Sequence, residues 1–237
     1  MSSDSEENGS GRDWSVHPPF IAPAYKSTVL RGPTRPPVRI PAGLSERTGP
    51  LAGHEVPGDL DNDLTRNAIR NGAPLGERIV VTGRVLDELG KPLPDMLIEV
   101  WQCNSAGRYV HSADTHDAPL DPNFLGAGRC ATDAQGVYRF YTLKPAAYPW
   151  GNHDNAWRPA HIHFSLFGPN IASRLVTQMY FPNDPLLPLD PIYMTVPEKS
   201  RERLVARFAL DVTEANFALG YVFDIVVRGS DATPVES

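Results

Sequence analysis

From residue 77 onward the apolar positions come in short runs, several alternating with polar ones, and turn-forming residues separate them. Alternation with a period of two puts successive side chains on opposite faces of an extended chain, so the pattern predicts β-structure. Strands are expected over Arg78–Leu86, Met96–Gln102, Val137–Leu143, His161–Phe167, Leu175–Tyr180 and Tyr221–Arg228. Asp87-Glu88-Leu89-Gly90-Lys91-Pro92 and Asp133-Ala134-Gln135-Gly136 supply Gly, Pro and Asp where the chain has to turn. Helical spacing is rarer. Pro197–Phe208 sets Leu204, Val205 and Phe208 on one side, and Asp61–Arg70 reads as a short helix stopped by Asn71-Gly72. Many strands with little helix between them predict a mainly β protein, an antiparallel β-sandwich with short helices.

The first 75 residues lack this pattern. A polar, acidic start predicts a disordered tail over residues 1–17. Over residues 18–75 the expectation is an extended arm and the short helix, because the prolines crowded between Pro18 and Pro41 oppose regular helix. Such an arm suits the surface of a neighbouring subunit or the rim of a pocket. Residues 76–237 then form the sandwich, with one domain overall. Within it, Cys103–Thr132 and Lys144–Ala160 read as long loops of the kind that carry function.

Composition narrows the classes. With 237 residues, 41% hydrophobic and 21% charged, this is a globular chain long enough to bury a core. A net charge of −6 with no basic stripe argues against nucleic acid as a partner. No apolar run is long enough to span a membrane. The N-terminus has neither the basic start nor the apolar centre of an export signal, and the only cysteines are Cys103 and Cys130. A cytoplasmic protein with two reduced, structural thiols is the expectation.

His161 and His163 stand one residue apart in Trp157-Arg158-Pro159-Ala160-His161-Ile162-His163-Phe164, so on a strand they share a face, while Ile162, Phe164 and Leu166 take the other. Two neutral imidazoles side by side make half of a metal site; a solvated polar strand face fits the pair as well. Each long loop also carries a tyrosine, Tyr109 after Asn104-Ser105-Ala106-Gly107-Arg108 and Tyr148 after Lys144-Pro145-Ala146-Ala147. Taken singly, each is an ordinary packing residue. If the four converge, two phenolates and two imidazoles form a hard, anionic ligand set that favours ferric iron over zinc.

Gly107-Arg108-Tyr109, Asp121-Pro122-Asn123-Phe124, Tyr148-Pro149-Trp150 and the Trp157–Phe164 run together resemble the intradiol ring-cleavage dioxygenases. Leu44-Ser45-Glu46-Arg47-Thr48-Gly49-Pro50 and Gly76-Glu77-Arg78-Ile79 resemble the branch of iron-bearing beta subunits within that family. The likeness runs from about Tyr25 to Gly229. It implies one non-haem Fe(3+) per chain, held by Tyr109, Tyr148, His161 and His163, with Tyr109 and His161 equatorial and Tyr148 and His163 axial. It implies that Arg158 stabilises charge on the substrate, that Gln178 supports the ligands, and that Tyr25, Trp150 and Ile192 join Arg158 in lining the substrate pocket. Read without the resemblance, Arg158 is a salt-bridge partner and Ile192 a core residue.

The implied reaction is O2-dependent cleavage of protocatechuate to 3-carboxy-cis,cis-muconate, a step of the beta-ketoadipate pathway, with a homologous alpha subunit as partner. Catechol or hydroxyquinol as substrate is the near alternative, and a non-catalytic β-sandwich binding module the remote one. Three departures from the family pattern stand out: Val110 where relatives commonly have Arg, Ala146-Ala147 where they have Gly-Pro, and an unusual tail at Asp231-Ala232-Thr233-Pro234.

Overall fold

The computed structural model describes residues 13–35, 57–151, 156–168 and 175–236. Eleven strands form the frame: β1 (Arg78–Leu86), β2 (Leu97–Trp101), β3 (Ala127–Ala131), β4 (Val137–Leu143), β5 (Tyr148–Trp150), β6 (Ala156–Arg158), β7 (His161–Phe167), β8 (Leu175–Tyr180), β9 (Arg207–Phe208), β10 (Leu219–Val222) and β11 (Ile225–Val226). One sheet joins β3, β2, β7 and β8 in that order, antiparallel throughout. In the other, β1 pairs with β4 along one edge and with β10 and β11 along the opposite edge. Those last two pairings are parallel, so this sheet is mixed rather than purely antiparallel.

The inner faces meet in a single core. Ile79, Val81, Val85, Tyr138 and Phe140 come from one sheet, and Ile98, Val100, Ile162, Phe164, Leu166 and Met179 from the other. Phe164 of β7 packs edge-on against Tyr138 and Phe140 of β4, with centroids 5.9 and 5.8 Å apart. This core takes one face of β7, and the alternation of the strand therefore delivers His161 and His163 to the opposite face.

The expected strand over Tyr221–Arg228 is two strands. Their parallel register with β1 is continuous, Thr82 facing Val222 and Val85 facing Ile225, but Asp224 leaves the ladder so that its carboxylate can accept from the Arg84 N–H at 2.8 Å. The Phe223 carbonyl fills the gap and accepts the buried Tyr138 hydroxyl at 2.5 Å. It approaches β1 so closely that a Cβ at Gly83 would lie 1.9 Å from it. Glycine is required there by proximity alone.

Four other expectations are corrected. Residues 13–17 are folded: Trp14–Val16 form a 3-10 turn capped by Asp13, with Val16 and His17 buried; residues 1–12 lie outside the described residues. The proline-rich arm contains a helix, α1 (Lys26–Arg31), set in the proline-free stretch between Pro23 and Pro33. The Thr28 hydroxyl closes it by accepting the Ala22 N–H at 2.8 Å and facing the Ala22 and Tyr25 carbonyls, both 2.9 Å away. The arm thus packs on its own chain; residues 36–56 lie outside the described residues.

Asp61–Arg70 is a string of turns, not a helix. The Asp63 carboxylate captures the Thr65 N–H and hydroxyl, while Leu64 donates to Tyr141 and Arg129 donates to Asp61. Backbone groups engaged with β3 and β4 are lost to a helical ladder. Finally, Pro197–Phe208 starts as α3 (Glu198–Arg201), tightens to 3-10 over Glu202–Leu204 and becomes extended when Ala206 donates to the Tyr180 carbonyl at 2.8 Å. Ahead of it, α2 (Pro191–Thr195) is capped by Asp190. Among the described residues no helix is long and apolar enough to cross a membrane.

Candidate functional site

The outer face of the β2–β7–β8 sheet is the floor of the site. Register puts Trp101 and Gln178 on either side of His163, and Tyr180 beside His161. Above this floor, β5 pairs with β6 so that Tyr148 lies opposite Arg158. Both strands fall within the segment read as a loop, as β3 falls within Cys103–Thr132. The loop after β2 brings Tyr109. Its shape is set by Asn104, whose side-chain Oδ1 accepts the Ala106 and Arg108 N–H groups, both at 2.9 Å. Gly107 then turns with φ +81°, and a Cβ there would lie 2.6 Å from the Ala147 carbonyl and 3.3 Å from the Tyr148 Cβ. That approach brings the two tyrosine segments together.

The four expected ligands form a closed circuit of rings. Tyr109 meets Tyr148 edge-on at 5.4 Å between centroids, Tyr148 meets His161 at 5.5 Å, His161 meets His163 at 4.8 Å, and His163 meets Tyr109 at 6.4 Å. Tyr148 Oη lies 3.5 Å from His161 Nε2. The Tyr109 hydroxyl is buried and makes no well-formed hydrogen bond, an unusual cost unless another group takes up the oxygen. His161 Nδ1 lies 2.7 Å from the Pro159 carbonyl and His163 Nδ1 lies 3.0 Å from the Glu236 carboxylate. Carbonyl and carboxylate oxygens only accept, so each Nδ1 carries a proton, and at His161 Nε2 keeps its lone pair. The guanidinium of Arg158, which only donates, confirms this at His161 by approaching Nε2 to 3.2 Å.

Electrostatics agree with a metal-ready donor set. Burial, then the charge of Arg158 and the neighbouring His163, hold the His161 pKa well below the ordinary imidazole value, so the ring is neutral. Burial, with Tyr148 beside it, raises the Tyr109 pKa well above that of a free phenol. Tyr148 is raised by burial too, against the opposing pull of Arg158. Neither phenol ionises here unaided, and a highly charged cation is what would make two buried phenolates affordable. Among the described residues no three His, Cys, Asp or Glu side chains converge, so a metal here draws on the phenols.

Arg158 is the hub of a buried network. Its Nη2 donates to Asp190 Oδ2 at 2.8 Å, to Gln178 Oε1 at 2.7 Å and to the Tyr180 hydroxyl at 2.9 Å. Burial opposes its charge, but Tyr180 and Asp190 outweigh it, and its pKa lies well above the ordinary value. Tyr25 and Ile192 pack in one apolar cluster with Trp150 against it; the Tyr25 and Trp150 centroids are 5.3 Å apart, and the Arg158 guanidinium sits 5.8 Å from the Trp150 ring. All nine expected site residues therefore gather in one region. A cleft of about 860 Å³ opens beside them, lined by Tyr109, Tyr148, Trp150, Trp157, His111 and His116 among others.

Asp190, Tyr180, Trp101 and Glu236 were missed. Trp101 stacks flat on His163 at 4.8 Å. Only the alternation of β2 and β8 could have hinted at Trp101 and Tyr180, and nothing local marks Asp190 or Glu236. Both cysteines are buried free thiols whose pKa burial raises to about 12, and Cys103 Sγ donates to the Ala146 carbonyl at 3.3 Å.

Residues 47–229 match the family described as Dioxygenase, and residues 11–42 match the one described as Protocatechuate 3,4-dioxygenase beta subunit N terminal. The chain is 66% identical over 225 residues to the protocatechuate 3,4-dioxygenase beta chain of Burkholderia cepacia, covering 95% of this chain and 96% of that one. It is 30% identical to hydroxyquinol 1,2-dioxygenase of Rhizobium sp. over 79% of this chain and 64% of that one. In fold it resembles 3-chlorocatechol 1,2-dioxygenase of Rhodococcus opacus, with a TM-score of 0.54 at 23% identity over 79% of this chain and 68% of that one.

Proposed function

This chain belongs to the intradiol ring-cleavage dioxygenases, and we propose that it is the iron-bearing beta subunit of a cytoplasmic protocatechuate 3,4-dioxygenase. Its reaction opens protocatechuate with O2 to give 3-carboxy-cis,cis-muconate, and its partner is a homologous alpha subunit. The observation that carries the reading is the closed circuit of Tyr109, Tyr148, His161 and His163, with one buried phenol oxygen unpaired. These four would hold one non-haem Fe(3+). When bound, the ion would supply Lewis acidity toward a catechol.

The chain's own residues do the rest. Tyr25, Trp150 and Ile192 offer an apolar wall for an aromatic ring. Tyr148, which lines the cleft with its Oη 3.5 Å from His161 Nε2, is the base assigned to one catechol hydroxyl, in the phenolate form that the ion would stabilise. Arg158 keeps a fixed positive charge beside the ring, and Asp190, Gln178 and Tyr180 fix the plane of its guanidinium so that it needs no reorganisation as negative charge develops. The test is oxygen uptake by the chain co-expressed with its alpha subunit, on protocatechuate, catechol and hydroxyquinol. Protocatechuate should be strongly preferred, with one oxygen molecule consumed per ring. Faster uptake with catechol or hydroxyquinol would assign the chain to a different substrate.

A further inference from the structure

Both histidines of the circuit have their orientation fixed through Nδ1, but by unlike groups. His161 uses the carbonyl of Pro159, two residues back in the chain. His163 uses the side chain of Glu236, 73 residues away in sequence. The segment that carries Glu236 is laced to the site from several directions. The Glu236 N–H donates to the Val176 carbonyl at 2.8 Å, and the Thr177 hydroxyl donates to the Pro234 carbonyl at 2.7 Å. The Thr233 N–H donates to the Val226 carbonyl at 2.8 Å, and the Val235 N–H donates to Nδ1 of the buried His17 at 3.2 Å. The two ends of the described chain thus meet beneath the metal-ready face.

From this we propose that Glu236 is a positioning residue for the metal centre, orienting His163 so that Nε2 faces the two tyrosines. Trp101 covers the flat face of the His163 ring at an interplanar angle of 5°. That contact restrains tilt but does not choose between the two ring orientations related by a half-turn about Cβ–Cγ, which exchange Nδ1 with Cδ2 and Nε2 with Cε1. The carboxylate makes that choice, because only an N–H can point at it.

This inference rests on the proposed iron site, so the experiment separates the two. Wild-type holoenzyme, Glu236→Ala, Glu236→Gln and Thr177→Val are compared for iron loss to a chelator and for the tyrosinate-to-iron absorption band. Thr177→Val loosens the same segment without touching His163. Glu236→Ala should lose iron on the order of 10–100-fold faster and shift the band. Glu236→Gln, which keeps an acceptor, should stay within a few-fold of wild type, and Thr177→Val should retain the wild-type band even where its unfolding temperature falls. Wild-type iron loss and band in Glu236→Ala would overturn the assignment. So would Glu236→Gln behaving like Glu236→Ala, or Thr177→Val reproducing the shifted band. A wild-type protein that binds no ferric iron would overturn the metal reading itself.

Discussion

Arg158 and Asp190 are both almost fully buried, at 3% and 0% side-chain exposure, and joined at 2.8 Å. Removing one partner of such a pair strands the other charge in the interior, which typically costs about 3–5 kcal/mol. Arg158→Ala should therefore lower the unfolding temperature by roughly 6 °C or more, besides losing on the order of 10²–10³ in turnover. Arg158→Lys keeps the charge but replaces the Nε and Nη2 pair that together reach Asp190 with a single nitrogen. It should recover most of the stability and little of the turnover. Calorimetry and oxygen uptake on both variants read the two effects separately; wild-type turnover in the lysine variant would show that charge alone suffices. The residue itself was legible, since Arg158 stands in the most distinctive run of the chain. Its counter-ion was not, because Asp190 lies 32 positions away and reads locally as a helix cap, a role it also fills.

At the scale of elements, the strands β1, β4, β7 and β8 have the ends their alternation predicts, since each buries one face in the core and any other register would expose it. The failures share a cause. Asp61–Arg70, the end of Pro197–Phe208 and the break at Phe223–Asp224 all give backbone groups to distant strands, and a partner far along the chain leaves no local pattern. Gly107 belongs with them, because its value lies in admitting the Ala147 carbonyl. Gly107→Ala should force the Tyr109 loop away from β5, on top of about 1–2 kcal/mol for a left-handed backbone. The two tyrosines proposed as ligands are disturbed at once, so iron per chain and the absorption band should both fall sharply. Iron analysis of the purified variant checks this, with full iron content as the contrary result.

For the whole molecule, the arm carrying Tyr25 is seated on its own chain, yet it still presents apolar surface: Val29 and Leu30 of α1 are 54% and 87% exposed. With Leu75, Leu189 and Leu210 also exposed, the chain offers apolar surface to a partner. Co-expression with the alpha subunit should give an alpha–beta protomer repeated in a larger oligomer, measured by light scattering on the eluting peak. A lone chain that cleaves protocatechuate at the full rate would exclude this. The sequence by itself determined the class of fold, the shared face of His161 and His163, and the residue types of the donor set, because alternation and side-chain chemistry are local properties. The tertiary structure decided that Tyr109 and Tyr148 reach those histidines, that Asp190 neutralises Arg158 and that Glu236 stands behind His163. Each of those contacts depends on strand register and loop approach, which are settled only when two distant sheets share one core.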